Sequence, residues 1–204
     1  VVPAIGCTEP ICVALAVARA TELLGSTPER VEVRLSANIL KNAMGVGIPG
    51  TDMVGLPIAI ALGALVGRPE SGLEVLRDVT PEAVERGRRY VEEGRTAIML
   101  KEDIDEKLYV EAVCRTAGHE ATAVIAHEHT RFVRLVADGE VRLDTSGETG
   151  GDSTETDEPQ LSLRKVYDYA TTTPIDEISF ILEARRLNET AARRSLEANY
   201  GHCL

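Results

Sequence analysis

The chain has 204 residues, of which 44% are hydrophobic and 27% are charged, a composition typical of globular proteins. Lysine and arginine number 22 against 33 aspartate and glutamate residues, so the formal net charge is −11 and binding to nucleic acid or to an anionic membrane is disfavoured. The lack of tryptophan, with aromatic residues at 3%, also removes the stacking platforms of single-strand nucleic-acid binders.

The longest nearly apolar run covers residues 54–66, which is too short to span a bilayer. No basic and apolar leader opens the sequence, so no secretory signal is expected. The four cysteines are irregularly spaced, which favours free thiols in a reducing compartment. We therefore expect a cytoplasmic protein. Because the chain opens on Val1 and not on methionine, we expect it to be part of a longer one.

The N-terminal part is predicted to be helical and rich in alanine. Pro10 suits the first turn of a helix over 11–24 that is apolar on nearly all sides, the pattern of a central helix. The alternation of apolar and charged residues at 31–35 predicts a half-buried strand. The elements expected after it are a glycine-rich loop over 36–50 with a short turn of helix, an apolar helix over 56–66 and a short helix over 73–77.

The period of the pattern then changes from helix to strand. Residues 81–93 predict an amphipathic surface helix. It is followed by predicted strands over 97–101, 108–115, 121–127, 132–137 and 141–143, the last after an Asp138-Gly139 hairpin turn. Residues 147–159 hold no large apolar residue and predict a solvated linker, after which helices are expected near 161–170 and over 174–199.

These elements predict an α+β fold, with alanine-rich helical segments around a small antiparallel sheet that has one flanking helix. The predicted segments are an N-terminal helical segment over 1–78, an α+β insert over 79–145, an acidic linker over 146–160 and a C-terminal helical segment over 161–204.

The first motif with candidate chemistry is Gly6-Cys7-Thr8-Glu9-Pro10. Cys7 lies just before a predicted helix N-terminus, where the helix dipole and free N–H groups stabilise the thiolate that a metal requires. The alternative is that Cys7 packs as a small hydrophobic residue. Cys12 and Cys114, within apolar stretches, are predicted to lie in the core.

The second motif is the glycine-rich run over 41–51. It contains the string G-x-G-x-x-G, but it does not directly follow a strand, so a dinucleotide site is rejected. Its backbone N–H groups suit a carboxylate or a phosphate, and Lys41 and Asn42 add an ammonium group and an amide. The alternative is a tight loop with a solvated lysine.

The third motif is His127-Glu128-His129. On a strand the two histidines would share one face and provide two zinc ligands. No further ligand stands at a recognisable spacing, so a single polar or catalytic histidine is favoured over a metal site. The acidic residues over 148–158 lack the ligand spacing of a calcium loop and are interpreted as solvated charge.

Residues 4–10, 41–50 and 126–130, in this order and at these separations, resemble the L-cysteine desulfidase family, also called serine dehydratase alpha-chain-like proteins. The resemblance implies a lyase of cysteine catabolism that converts L-cysteine to pyruvate, ammonia and sulfide on a 4Fe–4S cluster. Of the three cysteine ligands of that cluster, one corresponds to Cys7, and the other two belong to a glycine-rich stretch that this sequence lacks. Arg131 departs from the family pattern, which leads us to expect Asn there.

Within this interpretation, the base that removes the α-proton is Lys41, with His127 as the second candidate. The substrate-binding candidates are Glu9, Asn42, Gly45 and Gly47, and the partner is a small amino acid. This chain alone, with one matched cluster ligand, is expected to be inactive and to form a homo-oligomer or to pair with a C-terminal half. The alternatives are an L-serine dehydratase and a non-catalytic fragment or regulatory relative of the same fold.

Overall fold

The computed structural model describes residues 4–147 and 161–198, and the chain divides into two compact units, Val1–Asp152 and Ser153–Leu204. The predicted linker therefore lies outside the described residues over 148–160. In the first unit the helices are α1 (Thr8–Leu24), α2 (Ala37–Ala43), α3 (Leu56–Val66) and α4 (Pro81–Glu92), with a 3₁₀ helix at Pro69–Glu74. The strands are β1 (Arg30–Leu35), β2 (Gly47–Ile48), β3 (Met53–Val54), β4 (Thr96–Leu100), β5 (Tyr109–Arg115), β6 (Glu120–Ala126), β7 (Phe132–Ala137) and β8 (Glu140–Asp144).

The main sheet has six strands in the order β4-β1-β5-β6-β7-β8, which confirms the predicted α+β class. Four of the five strands predicted for the antiparallel sheet, β5 to β8, form an antiparallel meander, whereas β4 is separated from them by β1. The sheet is mixed and not wholly antiparallel, because β1 pairs in parallel with β4 and antiparallel with β5. A parallel pair needs a long crossover, which here includes α3 and α4. The predicted segments 1–78 and 79–145 therefore share one sheet.

Helix α1 is the centre of the core, as its all-round apolar pattern predicts. It is buried at every position from Pro10 to Ala18 and packs against α3, β5 and β6. Small residues bring α1 and α3 together: a Cβ atom on Gly63 would lie 2.6 Å from the carbonyl oxygen of Ala14. Gly25 ends the helix in the left-handed conformation, and its N–H bonds to the carbonyls of Thr21 and Glu22. This rigid helix positions the first motif, which lies at its N-terminus.

Several predicted elements need correction. The short turn of helix expected within the loop over 36–50 is the seven-residue α2, and the same loop also contains one strand of a small β2–β3 hairpin. The short helix expected over 73–77 is a 3₁₀ helix that begins earlier, at Pro69. The strand expected over 121–127 ends at Ala126, so His127 lies in the following turn.

The second unit is helical over its described residues. It contains α5 (Leu163–Thr172), α6 (Ile175–Ile178) and α7 (Ile181–Ala198), so the single helix predicted over 174–199 is interrupted. Its large apolar side chains are exposed, including Leu163, Tyr167, Phe180 and Leu196. Among the helices of the described ranges, none combines the length and the apolar character needed to cross a membrane.

Candidate functional site

The N-terminus of α1 carries an accessible thiol. Cys7 is the N-cap residue, with extended backbone angles, and it is partly exposed, whereas Cys12 and Cys114 are buried. The Cys7 thiol donates a hydrogen bond to Oε2 of Glu9, at 2.9 Å. Within the described ranges, Cys7 is thus the cysteine available to a ligand.

Glu9 joins the first motif to the second. Its Oε1 accepts a hydrogen bond from Nδ2 of Asn42, at 3.2 Å. Asn42 is held in place because α2 is short but well anchored: Ser36 caps it by accepting the N–H of Ile39, and Ile39 is buried in the core. The sequence singled out Cys7, Glu9 and Asn42 separately, and the structure brings them together.

The glycine-rich run forms an ordered hairpin beside this cluster. The buried Thr51 hydroxyl donates to the carbonyl of Ile48 at 2.7 Å and accepts the N–H of Met53 at 3.0 Å. Gly45 and Gly47 are exposed, and no atom lies within 4 Å of where their Cβ atoms would be. A ligand can therefore approach this part of the backbone closely.

Lys41, the first candidate base, is exposed on α2 directly before Asn42. Over the described ranges no acidic side chain forms an ion pair with it. Its ammonium group is therefore exposed to solvent on α2, on the residue next to Asn42.

Charge in this cluster is distributed differently from the sequence expectation. Burial raises the pKa of the Cys7 thiol above its ordinary value, and the hydrogen bond to Glu9 raises it further. The same hydrogen bond is the main reason that the pKa of Glu9 is lowered. Cys7 is therefore a neutral thiol beside an ionised carboxylate, and the thiolate expected at the helix N-terminus is not favoured. A metal that binds Cys7 must displace its proton.

His127 lies in the turn after β6 and is not part of the Cys7–Glu9–Asn42 cluster. The shared strand face expected for His127 and His129 is wrong, because β6 ends before them and His127 adopts a left-handed backbone with φ of 70°. Nδ1 of His127 pairs with Oε2 of Glu106 at 2.6 Å. Across residues 4–147 and 161–198, no three His, Cys, Asp or Glu side chains are grouped to hold a metal ion.

A groove of about 330 Å³ opens beside His127, and its lining includes Glu106, Tyr109 and Arg134 but no residue of the first two motifs. Sequence reasoning missed these three residues. Glu106 lies in an irregular acidic stretch, and Tyr109 and Arg134 have the appearance of ordinary strand residues. Only the pairing of β5, β6 and β7 brings them to one place.

Comparison with known proteins gives relatives that share the name UPF0597 protein. The one from Bacteroides thetaiotaomicron is 61% identical over 204 residues, which is 100% of this chain and 47% of that protein. Those from Parabacteroides distasonis and Porphyromonas gingivalis are 52% and 46% identical, over 99% and 100% of this chain and 47% and 48% of their own lengths. The chain thus spans about half the length of the curated relatives it matches. No protein-family model and no solved structure matches it.

These relatives correct the resemblance drawn from the three motifs. Assignment to the L-cysteine desulfidase or serine dehydratase alpha-chain-like family is wrong, because whole-chain similarity leads to proteins named UPF0597 protein and these bear neither name. The family assignment is removed, but the side chains of the three motifs and their positions in the structure are unchanged.

Proposed function

We propose that the Cys7–Glu9–Asn42 cluster is part of the active site of a lyase that eliminates sulfide from L-cysteine. The overall reaction takes up one water and gives pyruvate, ammonia and hydrogen sulfide. The observation that supports the proposal is the meeting of an accessible thiol, a carboxylate and an amide beside an open glycine hairpin. This set can bind the charged groups of a small amino acid and contribute a metal ligand.

The described residues do not by themselves fit a 4Fe–4S cluster that has three cysteine ligands. Cys7 is accessible, but Cys12 and Cys114 are fully buried, and burial raises their pKa values to about 12 and about 11. Cys203 lies outside the described residues. In the proposal, Cys7 supplies one ligand and the others come from elsewhere in the complete protein. When bound, such a cluster would act as a Lewis acid toward the leaving sulfur.

The residues of this chain have binding and proton-transfer roles in the proposal. The backbone N–H groups at Gly45 and Gly47, with the amide of Asn42, bind the substrate carboxylate. The ionised Glu9 attracts the substrate ammonium group. Lys41 precedes Asn42 on the same helix and takes the α-proton once its own amine is neutral. His127, the second candidate from the sequence, lines a separate groove that holds no residue of this cluster, so it has no role in this proposal.

The first test is sulfide and pyruvate production after anaerobic purification. This chain is produced alone and together with the part of the Bacteroides thetaiotaomicron relative that lies outside the matched region. The combination is expected to contain iron, to show the visible absorption of an iron–sulfur cluster and to release sulfide, whereas the chain alone is expected to do none of these. Assay with L-serine in place of L-cysteine tests the dehydratase alternative. Lack of iron and of both products in every preparation would favour the non-catalytic alternative.

Substitutions then separate the roles within the active combination. Cys7→Ser is expected to lose iron and activity together, whereas the buried control Cys12→Ala is expected to keep both. Lys41→Met is expected to keep iron and to lower the rate by about 10²–10⁴-fold, as loss of a general base does. Full activity in Lys41→Met would overturn the assignment of Lys41 as the base. Loss of iron in Cys12→Ala but not in Cys7→Ser would overturn the assignment of Cys7.

A further inference from the structure

The groove beside His127 lies on the face of the main sheet opposite to the core. Val124 forms cross-strand pairs with Glu111 of β5 and Arg134 of β7, and it belongs to a small apolar cluster with Ala126 and Val133 that is separate from the main core. These three side chains line the groove and give it an apolar surface, while the acids Asp105 and Glu106 line it as well. Its volume of about 330 Å³ is that of a site for a small molecule.

His127 lines this groove at the turn that follows β6. Its left-handed φ of 70° is uncommon for a residue with a side chain, and such conformations are concentrated at ligand sites. The register of β6 and β7 shifts between Val124 and Ile125, two residues before the turn, and irregularities of this kind often re-aim side chains. The 2.6 Å contact with Glu106 occupies Nδ1. No other described side chain is paired with Nε2, which is therefore free for a ligand.

Arg134 provides a positive charge on the same groove. Its side chain is about half exposed, and it forms a long ion pair with Asp144, at 3.8 Å from Nε. That distance is too long for a hydrogen bond, so the terminal N–H groups remain available. A guanidinium group in this state binds a carboxylate through two parallel hydrogen bonds. The side-chain ring of Tyr109 also lines the groove and adds apolar surface.

We propose that this groove binds a small carboxylate with a short alkyl chain. The carboxylate pairs with Arg134, the alkyl chain lies on Val124 and Val133, and Nε2 of His127 makes the second polar contact. The inference does not rest on the proposed lyase activity, because no residue of the Cys7–Glu9–Asn42 cluster lines this groove. The two proposals can therefore fail separately.

The test is a titration of the full chain with butyrate, monitored by NMR through the ring proton resonances of the histidines. The expected result is a saturable shift of the His127 resonance with little change at His119, which is exposed and paired with Asp138. Inorganic phosphate is the second probe, since it has charge but no alkyl chain. Equal affinity for both probes would overturn the proposed role of the apolar surface. The absence of a saturable His127 shift would overturn the site.

The matched variants are Arg134→Gln and Arg142→Gln. Arg142 is also an exposed strand arginine, paired with Glu140, but it does not line the groove. Arg134→Gln is expected to weaken butyrate binding about tenfold or more, because a charge-assisted pair is lost, and Arg142→Gln is expected to leave it unchanged. Equal weakening by both variants would show a non-specific charge effect and overturn the proposal.

Arg134→Lys is a second variant, which tests the same contact if Arg134→Gln fails to fold. It keeps the charge but loses the planar fork, so it is expected to bind butyrate with intermediate affinity. Affinity equal to that of the unaltered chain would overturn the two-bond contact of Arg134 with the carboxylate. The thermal unfolding midpoint of each variant is measured alongside.

Discussion

A Cβ atom at Gly6 would lie 2.8 Å from Cγ of Pro49. This contact is a direct packing relationship between the first and second motifs, and it complements the hydrogen bond between Glu9 and Asn42. The backbone of Gly6 also has a φ of 150°, which residues with a side chain rarely adopt. Because Gly6 has no side chain, the backbone of the first motif can pack directly against Pro49 of the second motif.

Gly6→Ala is expected to lower the free energy of unfolding by about 1–3 kcal/mol, because both the backbone angle and the proline oppose a methyl group. The measurement is urea unfolding. Gly45→Ala is the control, since its φ is ordinary and its surroundings are open, and it is expected to change stability by less than about 0.5 kcal/mol. Equal losses in the two variants would contradict the interpretation of this contact.

Glu9→Gln is expected to make Cys7 more reactive. Burial and the hydrogen bond to Glu9 raise the pKa of Cys7, and the glutamine removes the carboxylate part of that effect. The pKa of the thiol therefore falls, and alkylation by iodoacetamide near neutral pH becomes faster. The rate is followed against pH by mass spectrometry of the modified peptide. Glu22→Gln, on the same helix but paired with Arg19, is the control and leaves the profile unchanged.

Stability is expected to fall in alkaline solution because of Cys12. Burial raises its pKa from 9.0 to about 12, so between these values the folded chain keeps a proton that the unfolded chain releases. The free energy of unfolding therefore decreases as pH rises through this range, by up to about 1.4 kcal/mol per pH unit. Cys12→Ala is expected to cost about 1 kcal/mol near neutral pH and to make the alkaline decline shallower. If the alkaline decline in stability is the same in Cys12→Ala as in the unaltered chain, groups other than Cys12 cause it.

Glu111 is expected to stabilise the outer face of the main sheet. Its carboxylate accepts hydrogen bonds from Arg34 at 2.6 Å, Tyr109 at 2.9 Å and Lys101 at 3.1 Å, and its side chain is 13% exposed. Glu111→Ala leaves these donors without that partner and should cost about 2–3 kcal/mol near neutral pH. Glu140→Ala is the control, because Glu140 is well exposed and its pair with Arg142 contributes little.

The same variant has a defined pH dependence. Burial would raise the pKa of Glu111, but its hydrogen bonds from Lys101 and Tyr109 and the charges of Lys101 and Arg34 hold that pKa below the ordinary value of 4.5. Its contribution is therefore present above pH 4.5 and is lost as pH falls below that value. The difference in urea midpoint between Glu111→Ala and the unaltered chain should shrink in acid. A difference that stays constant would contradict the proposed charge network.

Local pattern was sufficient for most elements of the fold. The burial pattern of α4 and the alternation in β5 follow from side-chain period alone, and the Asp138-Gly139 turn follows from residues that tolerate positive φ. The parallel pairing of β1 with β4 was not predictable in this way, because Val31 and Thr96 carry no local signal of each other. Pairing across such a separation depends on how the intervening helices pack.

The residues of the candidate site could be predicted from the sequence, but the shifts of their pKa values could not. The sequence marked Cys7, Glu9 and Asn42, but the raised pKa of the thiol results from burial and from a carboxylate two residues away. The position of His127 was mispredicted because β6 ends one residue earlier than its alternation indicates. Glu106 gave no signal, since its role exists only through contact with that histidine.

The placement of β1 between β4 and β5 has a consequence for the order of folding. Val31 pairs with Thr96 on one side and with Cys114 on the other, so the sheet cannot close until both later segments have left the ribosome. Until then both edges of β1, in which apolar and charged residues alternate, are unpaired, and unpaired strand edges can pair with other chains. Closing these large loops before any ladder forms also makes folding slow. We therefore expect aggregation to compete with folding until Thr96 and Cys114 have paired with β1.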